Sequence, residues 1–248
     1  MNSLYANALN EMEKLWKRQR TKGFLLLTLL VPVISAMLLI FLEQNAVFRG
    51  LGSNLPMLML GLFTFTFLPL FLFMTAVDSF SGEAAAGTSK LVLVRPITRT
   101  KVFTSKVLVI AIYIVVYLGV LWMASVISGW FVAGADVGGG LLDSIKAYAA
   151  TFLPMMAIGL IAVLLAQCFN NTSGAITLIV SIYGAAKLLP FVFPQVSVLS
   201  VFSYTNWYVL WVGDGASIEK LFNTLVLLLA YCIIAYTAGW MLFDRKQW

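Results

Sequence analysis

Six long runs of apolar residues constrain this chain more than any other feature of its sequence. They cover residues 24–42, 55–77, 107–132, 147–168, 174–189 and 221–243. A helix needs about 20 residues to cross a hydrocarbon core of roughly 30 Å, and five runs satisfy this. The fifth run in chain order has only 16 residues and must borrow from its flank, such as residues 190–193. Membrane β-strands alternate apolar and polar positions, whereas these runs are continuously apolar. The sequence therefore predicts an all-α integral membrane protein with six transmembrane helices.

The composition supports this fold class and limits the number of domains. Charged residues make up 10% of the 248 residues, against about 25% in soluble domains. A chain of this length suits one membrane domain. We expect a cytoplasmic interfacial helix and basic linker over residues 1–23, followed by a six-span domain over residues 24–248.

The charges predict the orientation of the chain. The net charge is +6, but the charges gather at the ends of the apolar runs, which favours lipid headgroups over nucleic acid as their partner. With the N-terminus inside, the inner segments hold twelve Lys and Arg residues and the outer segments hold four. Cytoplasmic loops carry the Lys/Arg excess, so both termini are expected in the cytoplasm.

The N-terminal segment predicts a helix lying in the membrane interface. Tyr5, Leu9, Met12 and Trp16 recur at i, i+4, i+7 and i+11, which places them on one helical face. A basic cluster follows, and an apolar face beside basic residues is typical of interfacial helices. A disordered basic tail is the alternative.

The loop of residues 78–106 holds seven of the chain's 26 charged residues. Asp78 and Glu83 open it, and an alanine run then favours a short helix that Gly87 and Thr88 would end. Arg95 and Pro96 would break the next segment, and Arg99 follows. We expect two short helices at the membrane surface that receive a soluble partner. Basic residues that only set topology and bind lipid are the alternative.

A stripe of small residues marks the fifth apolar run. Ser173, Thr177, Ser181 and Ala185 recur every four residues, a spacing that lets another helix approach closely. The second helix could belong to this chain or to a second subunit.

Aromatic residues mark the segment between the fifth and sixth runs. Tyr204, Trp207, Tyr208 and Trp211 fall at i, i+3, i+4 and i+7, which predicts a helical aromatic face at the membrane interface. Closing the outer end of a substrate path is the alternative role.

Several kinds of chemistry are missing from the sequence. It has no G-x-x-x-x-G-K-[ST] loop to cradle a phosphate, and no histidine for a metal site. Cys168 and Cys232 lie at or within apolar runs, which argues against a disulfide framework. The chain is therefore expected to bind no cofactor itself and to be powered by another protein. The pair Asp78 and Glu83 would be the candidate carboxylates of a membrane enzyme acting on lipids.

The loop also carries an ordered pattern of residues: Glu83, Gly87, Thr88, Leu91, Leu93, Pro96, Arg99 and Lys106. This order resembles the cytoplasmic loop of ABC-2-type transporter permeases, although Ser89 stands where that family usually has an apolar residue.

The resemblance implies a permease subunit in a bacterial cell membrane, and we expect it to belong to an exporter. It implies that the loop docks on a separate ATPase that binds ATP and Mg, and that two permease chains pair. A non-transporting assembly or sensor subunit would share the same topology.

Overall fold

The architecture is a bundle of helices joined by short connections. The computed structural model of the protein describes residues 3–44, 54–87, 98–133, 140–193, 195, 200–212 and 217–246, and these contain no strand. The helices are α1 (Ser3–Trp16), α2 (Gln19–Gln44), α3 (Leu55–Leu62), α4 (Leu68–Ser79), α5 (Ser81–Ala85), α6 (Arg99–Ala133), α7 (Leu141–Gln167), α8 (Thr172–Val192) and α9 (Ile218–Arg245). A π-helical turn, Phe63–Phe67, joins α3 to α4, and a 3-10 segment, Val201–Trp211, precedes α9.

Six stretches within the described ranges are long and apolar enough to cross a membrane. They are Gln19–Leu42, Leu55–Ala85, Arg99–Val132, Leu141–Gln167, Thr172–Pro190 and Ile218–Arg245. Lipid offers no hydrogen bonds to the backbone, so each crossing segment satisfies its own peptide groups as a helix. The predicted all-α fold with six transmembrane helices is confirmed. The fifth span does borrow from its flank, because α8 continues through Pro190 to Val192.

The core of the bundle surrounds α7, which packs against α4, α6, α9 and the 3-10 segment. Small side chains on α7 allow its neighbours to approach closely. The spans differ in how much of their most apolar stretch is buried inside the protein. The buried share is 17% in α2, α8 and α9, and 50–56% in the other three spans. These three helices therefore leave broad apolar faces for lipid or for another chain. The small buried residues of α7 are Ala147, Thr151, Ala157, Gly159, Ala162 and Ala166.

Both ends of the described chain reach the same end of the bundle. Arg99, in the first turn of α6, donates from Nη1 to the backbone carbonyls of Asp244 and Lys246 at the end of α9. The Lys246 ammonium in turn donates to the Gln167 carbonyl at the end of α7, at 3.0 Å. We call this the loop end, because residues 88–97 connect α5 to α6 there. Its cytoplasmic orientation remains the prediction made from the Lys/Arg distribution.

Much of the predicted central loop, residues 78–106, is helical. Asp78 lies in the last turns of α4, Glu83 lies in α5, and residues 99–106 form the first two turns of α6. Helices α4 and α6 extend past the apolar runs because α1 and α9 cover and pair their polar residues. The remaining connection, residues 88–97, lies outside the described residues.

Candidate functional site

Four charged side chains from three separate segments meet at the loop end. Lys106 on α6 places Nζ 2.8 Å from Glu83 Oε2 on α5 and 3.0 Å from Glu11 Oε2 on α1. Lys14, one turn after Glu11, forms an ion pair with Glu83 Oε1 and lies 3.5 Å from Glu11 Oε1. We call Glu11, Lys14, Glu83 and Lys106 the four-charge cluster. It ties α1, α5 and α6 together near the end of α5 and the start of α6.

The cluster is buried and its charges balance. The side chains of Lys106, Glu11 and Glu83 are 3%, 4% and 7% exposed, while Lys14 is 38% exposed. Burying ions is expensive unless their pairing and hydrogen bonds are complete. Lys106 meets this condition, because its third N–H donates to the Ser79 carbonyl at 3.1 Å and an ammonium has three donors.

The cluster keeps Lys14 charged over a wider pH range than usual. Partial burial acts to lower the pKa of Lys14, but the hydrogen bond and attraction from Glu83, with that from Glu11, outweigh it and raise the pKa. Because the folded pKa is raised, the contribution of Lys14 to stability is complete below the unfolded pKa and is lost as the pH rises through the folded one. The cluster is therefore intact near neutral pH.

Helix α1 presents a polar face to the bundle, which explains how Glu11 reaches Lys106. Asn7 and Glu11 are both buried, and Asn7 Nδ2 donates to Ser105 Oγ at 2.5 Å. The sequence analysis missed this face. Asn7, Glu11 and Lys14 recur at i, i+4 and i+7, and that spacing was the available signal.

The predicted interfacial face of α1 is a different face of the same helix. Tyr5, Leu9 and Trp16 are exposed, whereas Met12 is partly buried and its carbonyl accepts a hydrogen bond from Tyr113 at 3.2 Å. An apolar groove of about 540 Å³ runs between this face and α6. The location of the exposed residues in a membrane interface remains a prediction.

Asp78 anchors the connection between α1 and α2 to α4. Its Oδ2 lies 2.7 Å from Arg18 Nη1, and its Oδ1 lies 3.5 Å from Arg20 Nη1. Arg18 also donates from Nη2 to the Asp78 carbonyl at 3.4 Å. Asp78, a residue of the predicted coupling site, is therefore joined by ion pairs to the N-terminal segment.

The remaining residues of the predicted coupling site are distributed differently. Glu83 was predicted to take part in docking; its carboxylate lies in the four-charge cluster, and its role in docking stays a prediction. Arg99 holds α6 to the end of α9. Thr88, Arg95 and Pro96 lie outside the described residues, so their role stays a prediction.

Gly87 ends α5 in the conformation that the predicted turn requires. Its φ is +64°, and its amide donates to the Ala84 carbonyl at 3.2 Å. A Cβ added there would meet no atom within 4 Å, so only the backbone conformation restricts this position. Glycine adopts left-handed φ values without the steric penalty of other residues.

Gly87→Val is therefore expected to destabilise the protein by about 1–2 kcal/mol, the penalty for a left-handed residue with a Cβ. Gly87→Asn should lose less, because asparagine visits this region readily. The measurement is thermal unfolding of the three purified proteins in one detergent. Equal melting temperatures for wild type and Gly87→Val would show that the turn does not need this conformation.

The small-residue stripe lies on the open side of α8. Ser173, Thr177, Ser181 and Ala185 are all exposed, while Ile179 on another side of α8 is buried. Packing within this chain therefore does not account for the stripe. A contact with a second chain remains a prediction.

The aromatic segment was predicted to form one helical aromatic face at the membrane interface, and this location stays a prediction. Residues 201–211 form a 3-10 helix with a non-helical residue inside it. Trp207 and Tyr208 are buried, Tyr204 is partly buried, and Trp211 is exposed with its ring centroid 5.4 Å from that of Trp207. A Cβ at Gly61 would lie 3.0 Å from the Tyr208 hydroxyl, so this segment packs closely on α3.

The fold and this site together define a class of protein. It is a multi-pass helical membrane protein whose N-terminal helix is locked by buried ion pairs to the two helices that flank its central loop. A family model described as an ABC-2 family transporter protein matches residues 9–187. The match covers well over half of the chain, and the protein belongs to this family, as a permease of an ABC transporter. A search of curated proteins found no significant match.

Proposed function

We propose that this chain is the transmembrane permease subunit of an exporter in a bacterial cell membrane, driven by a separate ATPase. The ATPase docks on the connection between α5 and α6, and it binds the ATP and Mg that the reaction consumes. The four-charge cluster is the observation that carries this proposal. The cluster joins the end of α5 to the start of α6, so a displacement of the connection by the ATPase would move both helices.

The helices that meet at the loop end explain how such a displacement would reach the membrane spans. Any displacement of residues 88–97 acts on α5 and on the first turn of α6. Helix α5 continues from α4 with a single residue between them, and α6 is one helix of 35 residues. Because Lys106 pairs with Glu83, the two helices move together rather than apart.

Helix α1 would join the same movement. Glu11 and Lys14 hold it to the cluster, while Arg18 and Arg20 hold the start of α2 to Asp78. The N-terminal segment would therefore transmit movement from the docking surface to the first span. Its exposed face, with Tyr5, Leu9 and Trp16, would rest in the lipid interface.

A second permease chain would complete the transport unit. The exposed stripe of α8 supports this part of the proposal, since small residues every four positions suit close contact between membrane helices. The two chains could be identical or different, and the proposal requires only that α8 lies at their contact.

The structure gives less support to an enzyme acting on lipids. The Asp78 carboxylate is paired with Arg18, and the Glu83 carboxylate is shared between Lys14 and Lys106. A catalytic pair requires a carboxyl group that can take up or give up a proton near neutral pH. Carboxylates held in ion pairs are poorly suited to that role.

The test is to purify the chain from its native membranes in a mild detergent and to identify every copurifying protein by mass. A stoichiometric partner carrying a phosphate-binding loop is expected, together with either one or two kinds of permease. Absence of such a partner, in a detergent that preserves known complexes, would move the assignment to an assembly or sensor subunit.

A matched pair of variants tests the role of the cluster in coupling. Glu11→Gln is expected to leave the ATPase bound but to lower permease-stimulated ATP hydrolysis about tenfold, the change that corresponds to about 1.4 kcal/mol. Glu13→Gln is the control, because Glu13 lies on the same helix but is exposed and pairs with the likewise exposed Lys17, outside the cluster.

The readout is ATP hydrolysis by the reconstituted complex, with the amount of bound ATPase measured alongside. Equal hydrolysis in both variants would remove the cluster from the coupling pathway. A loss of bound ATPase in Glu11→Gln would instead make the cluster part of the docking surface.

A further inference from the structure

Lys187 places a positive charge in apolar surroundings at the end of the bundle opposite the loop end. It follows the first residue of α8, Thr172, by 15 positions, which is about 22 Å along a helix. Its Nζ donates to Thr205 Oγ1 at 2.6 Å, and it lies 5.0 Å and 5.6 Å from the ring centroids of Phe65 and Tyr183. In the part of the chain that the structure describes, no carboxylate oxygen lies within 4 Å of this ammonium.

These neighbours stabilise the ammonium without neutralising it. Contact with an aromatic face contributes about 0.5–2 kcal/mol, whereas removing an ion from water costs several kcal/mol. Charged residues within membrane spans are rare and usually mark a functional site. A negatively charged group beside Nζ would offset the remaining cost.

Three separate elements hold the Lys187 ammonium in place. Phe65 belongs to the π-helical turn between α3 and α4, and its carbonyl accepts a hydrogen bond from the Tyr183 hydroxyl at 2.5 Å. Thr205 belongs to the 3-10 segment and is buried. Single π-helical turns are rare and frequently occur at functional sites. The lysine is therefore fixed by its neighbours and does not simply extend towards water.

The surroundings also indicate what kind of molecule could reach the ammonium. Phe65 and Leu188 are 53% and 64% exposed, so the site opens on an apolar surface of the bundle. Thr205 Oγ1 accepts from Lys187 and so positions the ammonium from the buried side. An ammonium beside an apolar surface suits a negatively charged headgroup with an apolar chain.

We propose that Lys187, positioned by Thr205, binds the negatively charged headgroup, phosphate or carboxylate, of an amphiphile whose apolar chain lies against α8. The amphiphile is either an anionic bilayer lipid or a single-chain molecule handled by the transporter, and both offer the same chemistry. The site does not involve the loop end, so it stands independently of how the ATPase docks.

The experiment measures binding to the purified full chain without any ATPase, by native mass spectrometry in a neutral detergent. The probes are phosphatidylglycerol, phosphatidylcholine with the same acyl chains, dodecyl phosphate and dodecyltrimethylammonium. Wild type is expected to retain phosphatidylglycerol or dodecyl phosphate and to bind the zwitterionic and cationic probes more weakly. Lys187→Gln should lower the affinity for the anionic probe about tenfold or more, because a charge-assisted hydrogen bond is lost.

Matched variants separate this site from general attraction of anions. Lys146→Gln removes an exposed lysine, paired with Asp143, from the same end of the bundle, and it should bind as wild type does. Lys187→Arg keeps the charge and should retain binding. If Lys187→Gln does not fold, Thr205→Val provides a second variant of similar shape, with an expected loss of severalfold.

The choice of anionic probe distinguishes the source of the ligand. Retention of phosphatidylglycerol alone would identify a bilayer lipid, and retention of dodecyl phosphate alone would identify a single-chain amphiphile. Equal affinity of wild type and both Lys187→Gln and Thr205→Val for the anionic probes would overturn the proposal. Equally tight binding of phosphatidylcholine would also overturn it.

Discussion

Lys106→Met is expected to destabilise the protein by about 3–5 kcal/mol, the cost of leaving buried ions without their partner. The substitution leaves Glu11 and Glu83 facing each other in a buried site, and Lys14 can compensate only from its partly exposed position. The Ser79 carbonyl also loses its donor. Thermal unfolding in detergent, together with the yield of folded protein, is the measurement.

Two further variants show whether the effect comes from unpaired charge. Lys17→Met removes a lysine that is 74% exposed, and exposed ion pairs contribute about 0–1 kcal/mol, so its melting temperature should stay close to that of wild type. The triple variant Glu11→Gln, Glu83→Gln, Lys106→Met removes the buried charges together and should recover most of the loss. The Lys14 ammonium is partly exposed and can then be solvated by water. A Lys106→Met protein as stable as wild type would contradict the buried pairing.

Ser181→Trp is expected to abolish the association of two permease chains. Ser181 lies at the middle of the exposed stripe of α8, where a bulky side chain would hold a second helix away. Contacts between membrane helices contribute about 1–2 kcal/mol each, so losing several of them lowers association by well over tenfold. The measurement is copurification of two differently tagged copies of this chain. If the pair is mixed, it is copurification of this chain with the other permease.

Ile182→Trp is the matched control, since Ile182 is also exposed but lies about 120° around α8 from the middle of the stripe. Ser181→Cys adds an independent measurement, because a disulfide requires Cβ atoms about 3.8 Å apart. An oxidant should cross-link Ser181→Cys across two chains and leave Ile182→Cys uncross-linked. If Ser181→Trp copurifies with its partner as wild type does, the stripe does not lie at the subunit contact.

The spans could be predicted from the sequence because lipid imposes one simple requirement, a continuous apolar run of sufficient length. The ends of the helices could not be predicted in this way. Helix α6 begins at Arg99 rather than near residue 107, and α4 continues through Asp78, because neighbouring segments supply partners for the polar residues there. Apolarity marks the hydrocarbon depth, whereas helix ends also depend on contacts outside it.

The candidate site was only partly predictable for a similar reason. Glu83 and Lys106 were recognised as members of a loop pattern, but their meeting depends on how α5 and α6 pack. Glu11 was not recognised, because its partner Lys106 is 95 residues away and no local pattern links the two. The spacing of the aromatic residues was interpreted for an α-helix, whereas the structure has a 3-10 helix over residues 201–211.

The long separation between Glu11 and Lys106 has a consequence for the biogenesis of this protein. Helix α1 leaves the ribosome before α5 and α6, so its polar face lacks its buried partners until those helices have been synthesised. Its link to Glu83 spans 69 residues, and its link to Lys106 comes later still. We therefore expect α1 to take its final position only after three spans have been inserted.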